Sequence, residues 1–194
     1  QSAAQPGDTV TVTGEFLAGA TRVLLGNARY GVQLTPSVAT ATGSWVTFVL
    51  PPDISQYPAG MYELTVQFLD STLTIVQQST NSLPIAVSPM MPTQVATTAT
   101  NPSGTLVTIN TFSPQAWEGQ SISLALSTQV APIVNVSASA QPFTGLATTL
   151  SFQFGPGLPA GALLGRLIFD GVPSQVQVNW DVFPPVFQGP LVTV

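Results

Sequence analysis

Eighteen prolines and sixteen glycines are scattered through 194 residues, so few windows of a dozen residues escape a helix breaker. A chain punctuated in this way must build from short segments joined by turns. Between the breakers, apolar and polar residues alternate with period two, the mark of a strand with one buried and one wet face. Val10 and Val12 alternate with Thr9, Thr11 and Thr13, and Tyr62, Leu64, Val66 and Phe68 alternate with Glu63, Thr65 and Gln67. Further on, Ile122, Leu124 and Leu126, then Leu150, Phe152 and Phe154, then Val176, Val178 and Trp180 follow the same rule. One window reads either way. Phe68–Ser82 has Leu69, Leu73 and Val76 at helical spacing, but the density of Thr72, Thr74, Ile75, Val76 and Thr80 favours two strands turning at Asp70-Ser71.

The two halves repeat each other. Pro58-Ala59-Gly60 recurs as Pro159-Ala160-Gly161, 101 residues on, and each copy enters a strand whose inward residues align: Tyr62 with Leu163, Val66 with Leu167, Phe68 with Phe169. An alternating strand precedes each copy, Val46-Phe48-Leu50 in one and Leu150-Phe152-Phe154 in the other. Upstream, Gly7-Asp8-Thr9-Val10-Thr11-Val12 is matched with Gly119-Gln120-Ser121-Ile122-Ser123-Leu124. Three elements in one order argue for duplicated domains. The expected organisation is all-β: two tandem immunoglobulin-like antiparallel β-sandwiches of about seven strands each. They span residues 1–89 and 93–194, with Pro89-Met90-Met91-Pro92 as a stiff linker. Val10, Val12, Val46, Phe48, Leu64 and Val66 should be buried in the first, and Ile122, Leu124, Phe152 and Phe169 in the second.

Composition narrows function by exclusion. Charged residues are only 6%, the net charge is −5, and Arg22, Arg29 and Arg166 are the only basic side chains. Nucleic-acid binding draws most of its affinity from Lys and Arg on phosphates, so nucleic acid is not an expected partner. No apolar run reaches the length of a transmembrane helix, so no membrane insertion is expected. The start, Gln1-Ser2-Ala3-Ala4-Gln5-Pro6, has neither a charged n-region nor an apolar h-region and no Met; the chain reads as soluble, and as processed or part of a longer polypeptide. Asn135-Val136-Ser137 is a glycosylation sequon of the kind a Ser-rich chain makes by accident.

Without His, Cys or Lys the chain cannot build a Ser-His-Asp triad, a thiol nucleophile, a Schiff base or a His-based metal centre. What survives is carboxylate chemistry, which needs two acids within about 5–10 Å of each other. Asp8, Glu15, Asp53, Glu63, Asp70, Glu118, Asp170 and Asp181 are isolated in sequence and read as solvated turn residues. They form no cluster of the kind calcium takes. Gly155-Pro156-Gly157-Leu158-Pro159-Ala160-Gly161 resembles a phosphate-cradling loop only superficially, because it leads into a strand and offers no helix N-terminus. Trp45, Trp117 and Trp180 with Tyr30 and Tyr57 could form a sugar-stacking platform; core or junction packing is the commoner use of such residues in a sandwich. Arg166 and Asp170, four apart, would share one strand face. No catalytic, cofactor-binding or metal-ligating residues are therefore expected, and no enzyme activity.

Pro6-Gly7-Asp8-Thr9-Val10-Thr11-Val12-Thr13-Gly14 followed by Arg22-Val23-Leu24-Leu25-Gly26 resembles the opening of immunoglobulin-like domains of the IPT/TIG type. Ser79–Pro89, Leu158-Pro159-Ala160-Gly161, Arg166–Ser174 and Phe183-Pro184-Pro185-Val186 are similar to stretches in the C-terminal region of tail-terminator or cap proteins of contractile injection systems. The family's N-terminal terminator domain is absent, and Ala162-Leu163-Leu164-Gly165 stands where the family has a Tyr. The resemblance implies a non-catalytic structural module, an accessory part of the cap or anchor end of a phage-tail-like particle assembled in the cytoplasm. Its partners would be other protein subunits or its own copies. The alternative is a ligand- or glycan-binding sandwich of a secreted or cell-surface protein.

Overall fold

Every regular element of the computed structural model, which describes residues 3–91, 96–130, 132–183 and 185–194, is a β-strand. The chain divides into two compact units, Gln1–Tyr57 with Met61–Val87, and Ser88–Val194 with Pro58–Gly60. The division falls at Val87/Ser88; of the expected Pro89–Pro92 linker, Pro92 lies outside the described residues.

The first unit contains β1 (Thr9–Thr13), β2 (Arg22–Asn27), β3 (Val32–Leu34), β4 (Val38–Ala41), β5 (Trp45–Val49), β6 (Gly60–Leu69), β7 (Val76–Ser79) and β8 (Leu83–Val87). One sheet has the order β1-β5-β4, the other β3-β2-β6-β7 with β8 also on β6. This is the strand order of an immunoglobulin-like sandwich, with β6 as the central strand of the larger sheet. Antiparallel register places Val10 opposite Phe48 and Val12 opposite Val46, and in the other sheet Val23 opposite Val66 and Leu25 opposite Leu64. Because side chains alternate with period two, these registers gather the apolar residues on the two facing sides. Val23, Leu25, Val46 and Phe48 are fully buried. Val12 departs from expectation: it is only half-buried, because β1 is the outermost strand of its sheet.

The second unit contains β9 (Ala96–Asn101), β10 (Gly104–Asn110), β11 (Ala116–Trp117), β12 (Ile122–Ser127), β13 (Asn135–Ser139), β14 (Leu146–Ala147), β15 (Thr149–Phe154), β16 (Ala162–Phe169), β17 (Val172–Pro173), β18 (Gln177–Asn179), β19 (Val186–Gly189) and β20 (Leu191–Thr193). Its main sheets are β15-β10-β9 and β13-β12-β16-β17 with β20 also on β16; β11-β14 and β18-β19 are two-stranded additions. The core is built on Val107, Ile109, Leu124, Phe152, Leu167 and Phe169, with Phe112 edge-on to Phe169 at 5.5 Å.

The two units share one internal plan at the repeat spacing of 101 residues. Val23 faces Val66 as Leu124 faces Leu167, and Leu25 faces Leu64 as Leu126 faces Gly165. Gly60 and Gly161, the last residues of the repeated tripeptides, both have φ in the left-handed region (145° and 109°), which explains why the tripeptide ends in Gly. The expected equivalence of Gly7–Val12 with Gly119–Leu124 is corrected. β1 pairs with β5, whereas β12 pairs with β16; the counterpart of β1 is β10, which pairs with β15 in the same way. The hairpin expected in 68–82 forms, but its turn runs from Asp70 to Ile75, closed by Asp70 N–H donating to the Ile75 carbonyl at 2.9 Å.

Candidate interaction surface

Comparing the two units locates what duplication does not account for. Beside β6, the outer strand is interrupted: β7 pairs with residues 67–69, β8 follows after residues 80–82 and also pairs with β6. Beside β16 the same interruption occurs between β17 and β20, but there it holds residues 174–190, which carry the β18–β19 hairpin. The hairpin has a register irregularity at Gln177/Val178, and the Asn179 side-chain oxygen accepts from the Asp181 N–H at 2.9 Å, as in an Asx turn.

The tip and far strand are apolar and wet. Trp180 is 76% exposed and Phe183 98%, with Val182, Val186 and Phe187 also exposed. Trp180 was expected to continue the inward face of Val176 and Val178. Both valines are half-buried, but among the described residues β18 pairs only with β19, and alternation in an isolated pair selects no buried side at the tip. Phe183 was not singled out from sequence as a contact residue. The available signal in the sequence is its place between Trp180 and two consecutive prolines, a residue type that strands tolerate poorly. Pro184 lies outside the described residues. Other exposed apolar side chains of this unit are Val130, Ile133 and Leu146.

The other aromatics named from sequence take different places within their own units. Tyr57 is buried at the corner between β5 and β6; its hydroxyl donates to the Pro51 carbonyl and its ring meets Tyr62 edge-on at 6.4 Å. This is the tyrosine corner of immunoglobulin-like sandwiches. Burial pushes the Tyr57 phenol up to about 12, with the Asp53 charge adding to the effect. Burial likewise raises Tyr62, against a hydrogen bond from Asn27 that lowers it. Trp45 and Trp117 are half-buried, and Arg29 sits 5.2 Å over the Tyr30 ring.

The carboxylates serve turns. Asp8 accepts from the Gln5 N–H at 2.8 Å, Glu118 from the Gly145 N–H at 2.8 Å, and Asp53 from Ser55 and Gln56. Asp70 accepts from Thr72, Thr74 and Ile75, and these hydrogen bonds hold its pKa below the ordinary carboxylate value. Hydrogen bonds from Ser55, then Gln56, do the same for Asp53. Asp170 does not lie on a strand face with Arg166: it occupies a two-residue turn with Gly171, both at positive φ (47° and 83°), and accepts from the Ser121 N–H at 2.9 Å. Glu15 and Glu63 are exposed. Among the described residues no three acidic side chains gather in a way that could hold a metal ion. The 155–161 loop runs straight into β16, as a turn before a strand.

A family described as "Domain of unknown function (DUF8756)" matches residues 80–193, which take in β8 and nearly all of the second unit, hairpin included. The chain belongs to the DUF8756 family. No curated protein matches it. Among solved structures, it is similar to SGBP-B of the mixed-linkage glucan utilization locus of Bacteroides ovatus, in complex with a mixed-linkage heptasaccharide. That likeness has 12% identity and a TM-score of 0.31, over 79% of this chain and 48% of that one. It is also similar to a DUF4785 family protein from Legionella pneumophila, at 16% identity and a TM-score of 0.39, over 88% of this chain and 50% of that one. The chain spans about half the length of each.

Proposed function

We propose that this chain is a non-catalytic interaction module that binds a protein partner through the β18–β19 hairpin. The observation that carries the reading is the exposure of Trp180 and Phe183 on the segment that the first unit lacks. Exposed Trp and Phe together are costly on a surface that serves only solubility, and aromatic side chains are the residues that dominate protein interfaces when buried. The rest of the unit supplies a stiff support, which is how sandwiches carry binding loops. The non-catalytic part rests on the residue inventory: the sequence has no His, Cys or Lys, and the carboxylates that meet hydroxyls, Asp53 with Ser55 and Asp70 with Thr72, do so within exposed turns.

The assembly we propose is the one its motifs resemble, the cap or anchor end of a contractile injection particle; the support is Leu158-Pro159-Ala160-Gly161 and Arg166–Ser174 in sequence. Trp180 also favours a second reading, because one face of an exposed indole can stack on a sugar ring. One experiment separates them. The wild type and a Trp180→Ser, Phe183→Ser double variant are compared in affinity capture of particle proteins and on a glycan array. Capture of one particle protein that the double variant loses supports the proposal; specific glycan binding lost in Trp180→Ser, with no particle protein captured, replaces it with the second reading.

A further inference from the structure

The larger sheets of the two units correspond row by row, and one row differs in kind. In the second unit Ser139, Ser123, Ile168 and Pro173 lie side by side across β13, β12, β16 and β17. The 101-residue shift brings Ser123 and Ile168 onto Arg22 and Gln67, which face each other across β2 and β6. Ser79 of β7 lies beyond Gln67, and Ser37 lies on the other side of Arg22. A sandwich of this plan thus needs neither a charge nor an amide in that row. The first unit has both.

The arginine is held in place. Its Nε–H donates to the Gln67 side-chain oxygen at 2.9 Å. Gln67 is only 8% exposed and Arg22 is half-buried, so the pair lies against the sheet. A guanidinium nitrogen can only donate, which commits the amide oxygen to Arg22 and leaves the Gln67 NH2 as a donor beside it. No other hydrogen bond or ion pair among the described residues engages the guanidinium, so Nη1 and Nη2 are open. Residues directly opposite in a sheet share a face, and the exposed Ser37 and Ser79 add hydroxyl donors to the row. On this face of β6 the carboxylate is Glu63, four residues from Gln67, about 13 Å along the strand and beyond a Debye length at physiological salt. Arg166, by contrast, stands exposed opposite Ala125, and Arg29 lies over the Tyr30 ring at 5.2 Å.

An arginine fixed through Nε presents its two Nη atoms in a set direction, and that fork matches the two oxygens of a planar anion. Charge selects which anion. One guanidinium among neutral donors balances one negative charge; a phosphate monoester carries about 1.5 to 2 at pH 7, and a chain of net charge −5 offers nothing for the second. The next row on this face, Leu24 and Thr65, has no aromatic ring to stack on a sugar, which favours an acidic protein side chain over a uronic acid. We propose that Arg22, oriented by Gln67, binds the carboxylate of an Asp or Glu side chain of a partner protein. The carboxylate meets Nη1 and Nη2 end-on, with the Gln67 NH2 and the two serine hydroxyls at its flanks.

The test is a titration of the whole 15N-labelled chain with sodium acetate replacing sodium chloride at constant ionic strength, following the arginine Nε–Hε and glutamine side-chain amide signals. Those of Arg22 and Gln67 should shift together and saturate, and Arg29 and Arg166 should respond at least about tenfold more weakly. Arg22→Lys keeps the charge and loses the fork; it should keep the wild-type circular dichroism and weaken acetate binding, read at the Gln67 amide, about tenfold. Methyl phosphate should bind no more tightly than acetate, and aspartate blocked at both ends should bind at least as tightly as glucuronate. Trp180→Ser should change none of this, which keeps the site separate from the hairpin. Equal responses from the three arginines, a lysine variant that binds like the wild type, or a preference for methyl phosphate or glucuronate would each overturn the proposal.

Discussion

Replacing Tyr57 by Phe removes one oxygen atom and leaves the ring that packs edge-on against Tyr62. The lost hydroxyl donates to the Pro51 carbonyl, closing the corner between β5 and β6. A protein hydrogen bond contributes about 1 kcal/mol net, and a carbonyl left without a donor costs more when water cannot reach it. Pro51 is half-buried, so a loss of about 1–2 kcal/mol is expected. Equilibrium unfolding in urea reads this directly: with a slope of about 1–2 kcal/mol per M, the first transition should fall by about 1 M. The alkaline limb supplies a second readout. Burial, then the Asp53 charge, raises the phenol from its ordinary 10 to about 12, so the folded state favours the neutral form. The stabilisation is complete below the unfolded pKa near 10 and is lost as pH rises towards 12, because the unfolded chain gives up its proton first. Tyr57→Phe should flatten part of this slope, the remainder belonging to Tyr62, whose phenol burial also raises. A variant within about 0.3 kcal/mol of the wild type, with the same alkaline slope, would refute the reasoning.

Gly104→Ala should destabilise the second unit by about 3 kcal/mol or more in chemical denaturation, since φ is 124° and the new Cβ would overlap the Phe154 carbonyl; Gly119→Ala, at φ 85° with open space around it, should cost only about 1 kcal/mol. Asp170→Ala should cost about 1–2 kcal/mol in the same assay, through loss of the acceptor for the Ser121 N–H and strain at positive φ. Asp70, whose pKa is depressed by its hydrogen bonds, stabilises the β6–β7 hairpin above the unfolded carboxyl pKa and ceases to as pH falls through the folded one; Asp70→Asn should flatten the acid limb of an unfolding profile between those values. Binding of a partner protein should change less than about tenfold between low and high ionic strength, because a chain with 6% charged residues has little charge to screen; a salt titration checks it.

Much of the fold was legible because burial imposes period two wherever a strand has one wet face. Nine of the ten residues expected in the cores are buried, and the 101-residue shift that aligns Tyr62 with Leu163 also aligns the cross-strand pairs Val23–Val66 and Leu124–Leu167. The failures have a common cause, that alternation specifies faces but not neighbours. Gly7–Val12 and Gly119–Leu124 share a turn glycine followed by alternation, which any sheet strand can show, and only pairing to β5 or to β16 tells them apart. Val12 alternates correctly, yet it lies at an edge, where the inward face is covered from one side only. The hairpin was the hardest part to read. Val176, Val178 and Trp180 look like any core strand, and what sets Trp180 apart is that, among the described residues, its hairpin is an isolated two-stranded pair, a property of the tertiary structure. Tyr57 was legible in principle, since a Tyr just before the strand that follows a Pro-rich turn is where a corner hydroxyl finds a backbone carbonyl.

The hairpin reading is tested most directly by placing p-benzoylphenylalanine at position 183, and at position 63 on the exposed face of β6 as the comparison, and irradiating each full-length chain in an extract of the cells that make it. The account gives one dominant protein adduct from position 183 that position 63 does not form and that Trp180→Ser diminishes. Equal, diffuse adducts from both positions, or a dominant adduct from position 63 alone, would contradict it.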